Sequence, residues 1–212
     1  PTGRTMTEAR RAAVAQVAVE SGLPIIEDNP YGDLWFDAPP APSLSSRHPE
    51  GSVYLGSFSK ILAPGLRLGY LVAPKALYPK LLQAKQAADL HTAQLTQMVV
   101  HEVVKDGFLD QHIPSIRTLY ANQCQAMLDA IAEFFPAEVH YTRPEGGMFI
   151  WVTLPSGMDT KEMFADALKE KVVYVSGSAF CTDGSGKNCM RLNFSNTDDD
   201  TAGFTVSPTS GL

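Results

Sequence analysis

No apolar run in this sequence approaches the ~20 residues of a membrane-spanning helix, so no transmembrane segment is expected. Nor is there a block of lysine and arginine interleaved with aromatics. With a formal net charge of −6, nucleic acid is not expected to be a partner of this segment. The three cysteines, Cys124, Cys181 and Cys189, are odd in number and form no CxxC pair. That excludes a disulfide framework, and the expectation is reduced, mostly buried thiols in a cytoplasmic protein. The five histidines lack ligand spacing. His101-Glu102 begins like HExxH, but Lys105 stands where the second histidine belongs, so no metal site is expected. The opening PTGRTMTEARR has no apolar h-region and is not a signal peptide. It also has no initiator Met and reads as cut from a longer chain.

What is present is a chain of 212 residues, 44% hydrophobic, long enough to bury a sizeable core. Thr7 caps a helix over about Glu8–Ser21, with Ala12, Val14, Ala15, Val17 and Ala18 on its apolar side and Gly22 ending it. Leu23–Asp28 reads as a short buried strand, followed by an Asn29-Pro30-Tyr31-Gly32 turn. Residues 37–50 hold four prolines and read as an irregular loop. Val53–Ser57 and Leu68–Val72 are the next strands. Helix, strand, loop and strand, with strands that do not alternate, predict an α/β domain with a largely parallel sheet.

Lys75 to about Lys105 is helical with a break near Leu90–Thr92, and Asp110 to about Phe135 is a second helical stretch. The domain change is placed along that second stretch, dividing the chain into 1–112, 113–196 and an irregular tail 197–212. The second part predicts a small α+β unit. Its strands are Val139–Tyr141, Met148–Leu154, Val172–Val175 and Met190–Phe194, and its helix is Thr160–Lys171, capped by Asp159 or Thr160. Gly184–Lys187 lacks the spacing of a phosphate loop and reads as a turn. Gly146-Gly147 is a hairpin turn or a close approach to a substrate. His91 reads as a helix-surface or core histidine.

Chemistry concentrates in YLGSFSKILAPGLRLGY, Tyr54–Tyr70. Lys60 follows a strand, Ser57 and Ser59 precede it, and Arg67 follows a Pro64-Gly65 break. Taken alone, Lys60 is a solvated loop lysine. Ligands of α/β sheets sit beyond the carboxyl ends of strands, and both Asp28 and the Ser57–Lys60 group fall there. Asp28 is either a helix-capping or turn-forming acid or a counter-ion for a protonated ring nitrogen. Tyr31 is either a core-edge tyrosine or a phenol reaching the same ligand. Arginine and hydroxyls suit a phosphate. A lysine beside a cationic group and out of water becomes a nucleophile toward an aldehyde. Pyridoxal phosphate has the aldehyde, the phosphate and the ring nitrogen that these residues call for. Arg191, between Met190 and Leu192, is either an edge-strand arginine in water or a fork for a substrate carboxylate.

The sequence resembles the C-terminal half to two-thirds of a class I/II aminotransferase of the fold-type I pyridoxal phosphate enzymes. The subgroup is the one of 2-aminoadipate-type aminotransferases and MocR regulators. The matching segments are PTG at Pro1–Gly3, EDNPYGDLWF at Glu27–Phe36, GSFSKILAPGLRLGY at Gly56–Tyr70, RPEGGMFIWVTLP at Arg143–Pro155 and RLNFS at Arg191–Ser195. The resemblance implies the C-terminal part of a large cofactor domain followed by a small α+β domain. It implies that Lys60 carries the internal aldimine and serves as general acid/base, and that Asp28 keeps the pyridine nitrogen protonated. Tyr31 would bond the ring hydroxyl, Ser57 and Arg67 would bind the phosphate with Ser59 helping, and Arg191 would clamp the α-carboxylate. The implied activity is amino-group transfer between an α-amino acid and a 2-oxo acid by a homodimer. The alternative is the cofactor- and ligand-binding domain of a MocR-type transcription regulator. The family's Asn before Pro1, its upstream half and its C-terminal amphipathic helix are not in the sequence, and weak or no cofactor retention is expected of the chain alone.

Overall fold

A computed structural model describes residues 2–195. The expected tail, 197–212, lies outside the described residues. The chain divides into two compact units. One is Met6–Ile116, and the other combines residues 2–5 with those from 117 onward.

In the first unit, helix α1 covers Glu8–Ser21. The Thr7 side chain accepts the Arg10 N–H at its start. Left-handed Gly22 (φ 62) ends it, with Leu23 N–H returning to Ala18 O at 2.9 Å as helix-ending glycines commonly arrange. Its buried stripe is narrower than the sequence pattern: Ala15 and Ala18 are buried, whereas Ala12 and Val17 face outward. Strand β1 (Ile25–Asp28) runs parallel to β2 (Ser52–Ser57), which pairs antiparallel with β3 (Gly69–Val72). The sheet order is β1-β2-β3.

Two expectations change here. The β1 strand is not buried on both faces, since Ile26 is 72% exposed. It is an edge strand of this sheet, and only one of its faces is packed. The proline-rich stretch is not wholly irregular. Ser43 follows the prolines and caps a short helix, α2 (Leu44–Arg47), by accepting the Ser46 N–H at 3.1 Å, and a 3-10 turn follows at Pro49–Gly51. Helices α3 (Tyr78–Asp89) and α4 (Gln94–Val104) are separated at Leu90 (φ 65), where the break was expected. His91 sits in that break, exposed, with Nδ1 3.1 Å from Thr92 O, not on a helix face. Helix α5 spans Phe108–Phe134 and contains Pro114. The boundary between the units falls within it.

In the second unit, Cys124, Met127, Leu128 and Ile131 of α5 are buried at i, i+3, i+4 and i+7. A four-stranded antiparallel sheet has the order β4-β5-β7-β6: β4 His140–Tyr141, β5 Phe149–Thr153, β6 Val175–Ser176 and β7 Cys189–Asn193. Alternate residues Ile150 and Val152 of β5 and Met190 and Leu192 of β7 are buried. Burial pushes the Cys124 thiol up to about 11, against a smaller opposite pull from Arg143. Cys181 and Cys189 are only half-buried, so the expectation of buried thiols holds for Cys124 alone.

The helix expected from Thr160 starts later, as α6, Phe164–Lys169. Thr160 does not cap it. Thr160 is fully buried, and its Oγ1 lies 2.7 Å from Ser176 Oγ, 3.0 Å from Lys187 O and 2.8 Å from Cys189 O. Carbonyls only accept, so the single Thr160 hydroxyl proton goes to them and Ser176 donates to Thr160. The Thr160 N–H donates to Lys187 O at 2.8 Å, and the Tyr174 hydroxyl donates to Thr160 O at 2.7 Å. This hub is also why the strand expected at Val172–Val175 shrinks to β6. Tyr174 is turned inward to the hub, and pairing with β7 begins only at Val175. Thr160→Val keeps the shape but orphans these buried groups, which costs about 1–3 kcal/mol. Urea unfolding should show that loss, with Thr160→Ser losing less. Equal midpoints for the parent and Thr160→Val would refute the hub.

Candidate functional site

Because β1 and β2 are parallel, their carboxyl ends meet at one edge of the sheet. Asp28 is the Cα partner of Leu55. Ser57 lies two residues beyond Leu55, so Asp28 and Ser57 share a face. Asn29 continues the pairing with an N–H to Leu55 O bond of 3.0 Å and donates through Nδ2 to the Tyr54 hydroxyl at 3.2 Å. The turn that follows is tight enough that a Cβ on Gly32 would fall 2.3 Å from Asn29 Nδ2. Leu34, 1% exposed, anchors it and bonds back to Tyr31 O at 2.9 Å.

The 58–68 connection closes where Phe58 N–H meets Leu68 O at 3.1 Å. Within it, Phe58 O accepts from Leu62 at 2.9 Å and from Ala63 at 3.1 Å, and buried Ile61 fixes the turn from inside. Lys60 is held just before that anchor, half-buried, with Nζ 5.8 Å from the centroid of the Tyr31 ring. The Ser57 Oγ accepts the Ser59 N–H at 3.1 Å, which leaves its hydroxyl proton to donate. Pairing of Ser57 with Gly69 brings Arg67 to the neck of the same connection. Arg67 is exposed and left-handed (φ 50), a conformation that costs a non-glycine residue about 1–2 kcal/mol. Its Nη1 reaches only Pro64 O, at 3.5 Å. The Tyr70 ring lies directly against the glycine of GSFSK, Gly56: a Cβ there would fall 2.2 Å from Tyr70 Cζ, so the ring would have to shift.

The adjacent acids Glu27 and Asp28 are used differently. The Glu27 carboxylate accepts the N–H groups of Leu44 (3.1 Å) and Ser45 (2.8 Å) at the start of α2 and lies 3.6 Å from Arg11 Nη1. The helix-capping role is thus taken by Glu27 and not by Asp28. Asp28 points to the opposite face, exposed, and forms no ion pair among the described residues.

Arg191 lies in the second unit, on β7, with Trp151 and Val175 as its Cα partners. It is half-buried, not an arginine standing in water. Its guanidinium carbon is 4.0 Å from the Phe149 ring centroid and 4.8 Å from that of Phe180. Those two aromatics were not singled out from sequence. The signal for Phe149 was its parity, since in FIWV the phenylalanine and tryptophan alternate with the buried Ile150 and Val152. Gly3 belongs to the same unit, and a Cβ on it would lie 2.8 Å from Phe149 O.

Residues 1–203 match the family model "Aminotransferase class I and II". The chain belongs to this family. It is 44% identical to a 2-aminoadipate transaminase of Thermus thermophilus over 93% of this chain and 51% of that protein. It is 32% identical to the HTH-type transcriptional regulator YisV of Bacillus subtilis, over 92% of this chain and 40% of that protein. Among solved structures, it superposes with a TM-score of 0.91 and 42% identity on the α-aminoadipate aminotransferase LysN of Thermus thermophilus. That match covers 95% of this chain and 53% of the other, which was crystallised with N-(5'-phosphopyridoxyl)-L-leucine. The chain spans about half the length of the relatives it matches. Its fold is accordingly that of a fold-type I aminotransferase over that span.

Glu27 and Asp28 make the site testable through stability. Glu27→Gln should cost about 1–3 kcal/mol, because charge-assisted bonds to α2 and Arg11 weaken. Asp28→Asn should stay within about 0.5 kcal/mol. Denaturant unfolding of the two variants would expose the opposite ranking, which would mean the two acids have been assigned the wrong way round.

Proposed function

We propose that this chain holds pyridoxal phosphate at the β1–β2 edge and serves amino-group transfer between an α-amino acid and a 2-oxo acid. The observation that carries the reading is the set of functional groups at that edge without a structural task. Asp28 and Ser57 end β1 and β2, and Lys60 and Arg67 lie in the connection that follows β2. None forms an ion pair among the described residues. The donor set fits the cofactor: an amine for its aldehyde, an anion for its ring N–H, and a cation with a hydroxyl for its phosphate. Family membership and 44% identity to a transaminase, against 32% to a regulator, favour turnover over ligand sensing.

When bound, pyridoxal phosphate supplies an aldehyde and a ring that accepts electrons from the substrate Cα. Lys60 would provide the amine that holds the aldehyde carbon and, once displaced by the substrate amine, its free Nζ would serve as the general acid/base that moves the substrate Cα proton onto the former aldehyde carbon. Asp28 accepts the N–H of the ring nitrogen and keeps that proton in place. Tyr31, whose ring faces Lys60 Nζ, bonds the ring hydroxyl. Ser57 and Arg67 bind the phosphate, with Ser59 supporting them, and Arg191 binds the α-carboxylate as a planar fork. The proposal includes a homodimer in the cytoplasm. The apolar side chains Leu95, Met98 and Val99, exposed at helical spacing on α4, support a further protein contact.

Borohydride reduction of the full-length protein that contains this chain, incubated with pyridoxal phosphate, should place the pyridoxyl group on the Lys60 peptide, and Lys60→Ala should remove it. Asp28→Ala should keep the label but slow transamination by about 10²-fold or more. Peptide maps with the label on another lysine, or spread over several, would remove this reading.

A further inference from the structure

The described arginines that are ion-paired, Arg11 and Arg47, are held by glutamates. Arg191 is held differently. Its guanidinium carbon sits over two rings, Phe149 at 4.0 Å and Phe180 at 4.8 Å, and no carboxylate of the described residues pairs with it. The difference has a chemical consequence. A carboxylate partner would engage the N–H donors and neutralise the charge. Aromatic faces attract the cation through their quadrupole and leave the N–H donors available.

The two rings are themselves fixed. Phe149 begins β5, and its carbonyl abuts Gly3 so closely that a Cβ there would lie 2.8 Å away. Phe180 closes the 3-10 turn Gly177–Phe180. That turn is pressed onto β7, because a Cβ on Gly177 would fall 2.5 Å from Cys189 Cβ and 2.7 Å from Gly186 O. Trp151, the Cα partner of Arg191, meets the Phe180 ring edge-on, with centroids 5.7 Å apart and planes at 70°. A rigid strand and a rigid turn therefore deliver the rings to a long side chain that is otherwise flexible.

From this we infer that Phe149 and Phe180, the latter braced by Trp151, are positioning residues for carboxylate recognition. They form an aromatic seat that orders the Arg191 head group before a ligand arrives while keeping its donors free for a carboxylate. The inference rests on the reading that Arg191 binds the substrate carboxylate. It adds that the affinity of that contact is set by the seat as well as by the charge. The ordering cost of the arginine side chain is met in the folded chain and not at binding.

The test follows the Arg191 Nε–Hε signal in ¹H–¹⁵N spectra of the full chain while acetate is titrated, with acetamide as the uncharged control. In the parent, the rings should displace this signal from its ordinary position, and acetate but not acetamide should shift it further. Phe180→Leu keeps an apolar side chain at a half-exposed site. It should move the signal back toward its ordinary position and weaken acetate binding by about five- to thirtyfold. Phe180→Tyr should stay within about twofold of the parent. In a transaminating form of the protein, the Phe180→Leu effect should fall on KM for the amino acid and not on kcat. If Arg191→Gln abolishes acetate binding but Phe180→Leu binds as the parent does, the seat is wrong and the carboxylate role of Arg191 stands. If Arg191→Gln leaves acetate binding unchanged, as followed on neighbouring amide signals, the carboxylate role fails and the seat falls with it.

Discussion

The parallel pairing of Ile25–Asp28 with Ser52–Ser57 is the constraint on which the candidate site depends. Parallel strands end at the same edge, so two segments separated by more than twenty residues deliver their last side chains together. The period of two then sorts the neighbouring acids. Glu27 goes to the packed face and ties α2 and Arg11 to the sheet. Asp28 goes to the other face, beside the Ser57 side. A slip of one residue in this register would exchange the two acids, so that the anion at the site and the anion in the scaffold would trade places.

Both units distinguish groups engaged by the fold from groups left available. In the first, Glu27 is satisfied three times over, while Lys60 is positioned by an aromatic contact with Tyr31 and by the buried Ile61 that follows it. In the second, Thr160 is saturated by Ser176 and two backbone carbonyls, while Arg191 rests on Phe149 and Phe180. Lys60 and Arg191 thus share a physical logic. Each cation lies by a ring face, which orients it without neutralising it. That arrangement suits groups whose partner is a ligand.

Much of this was legible in the chain. Thr7 and Gly22 bracket α1 as their capping chemistry requires, and the break between α3 and α4 was visible near Leu90. The strand ends carrying Asp28 and Ser57 followed from apolar runs bounded by turns. What was not legible depended on long-range contacts. Nothing local distinguishes Glu27 from Asp28 as the helix-capping acid, because the N–H groups it meets belong to Leu44 and Ser45, far along the chain. Thr160 had the local signature of an N-cap, and the burial of its hydroxyl among Ser176, Lys187 and Cys189 came from tertiary structure. Ser43 did carry a local signal, a serine after prolines and before a short helix, which the density of prolines obscured. The exposure of Ile26 reflects its place on the unpacked face of β1, shared with Asp28, and no window of sequence reports which face is packed.

The central claim is that one sheet edge, built by β1 and β2 and their following connections, holds pyridoxal phosphate in a fixed orientation. A crystal structure of the full-length protein that contains this chain, grown with pyridoxal phosphate, tests it most directly. The account predicts continuous density from Lys60 Nζ to the cofactor, the Asp28 carboxylate within hydrogen-bond distance of the ring nitrogen, and the phosphate on Ser57 and Arg67. Density for the cofactor away from Lys60, or a ring turned so that its nitrogen faces Arg67 and its phosphate faces Asp28, would contradict it.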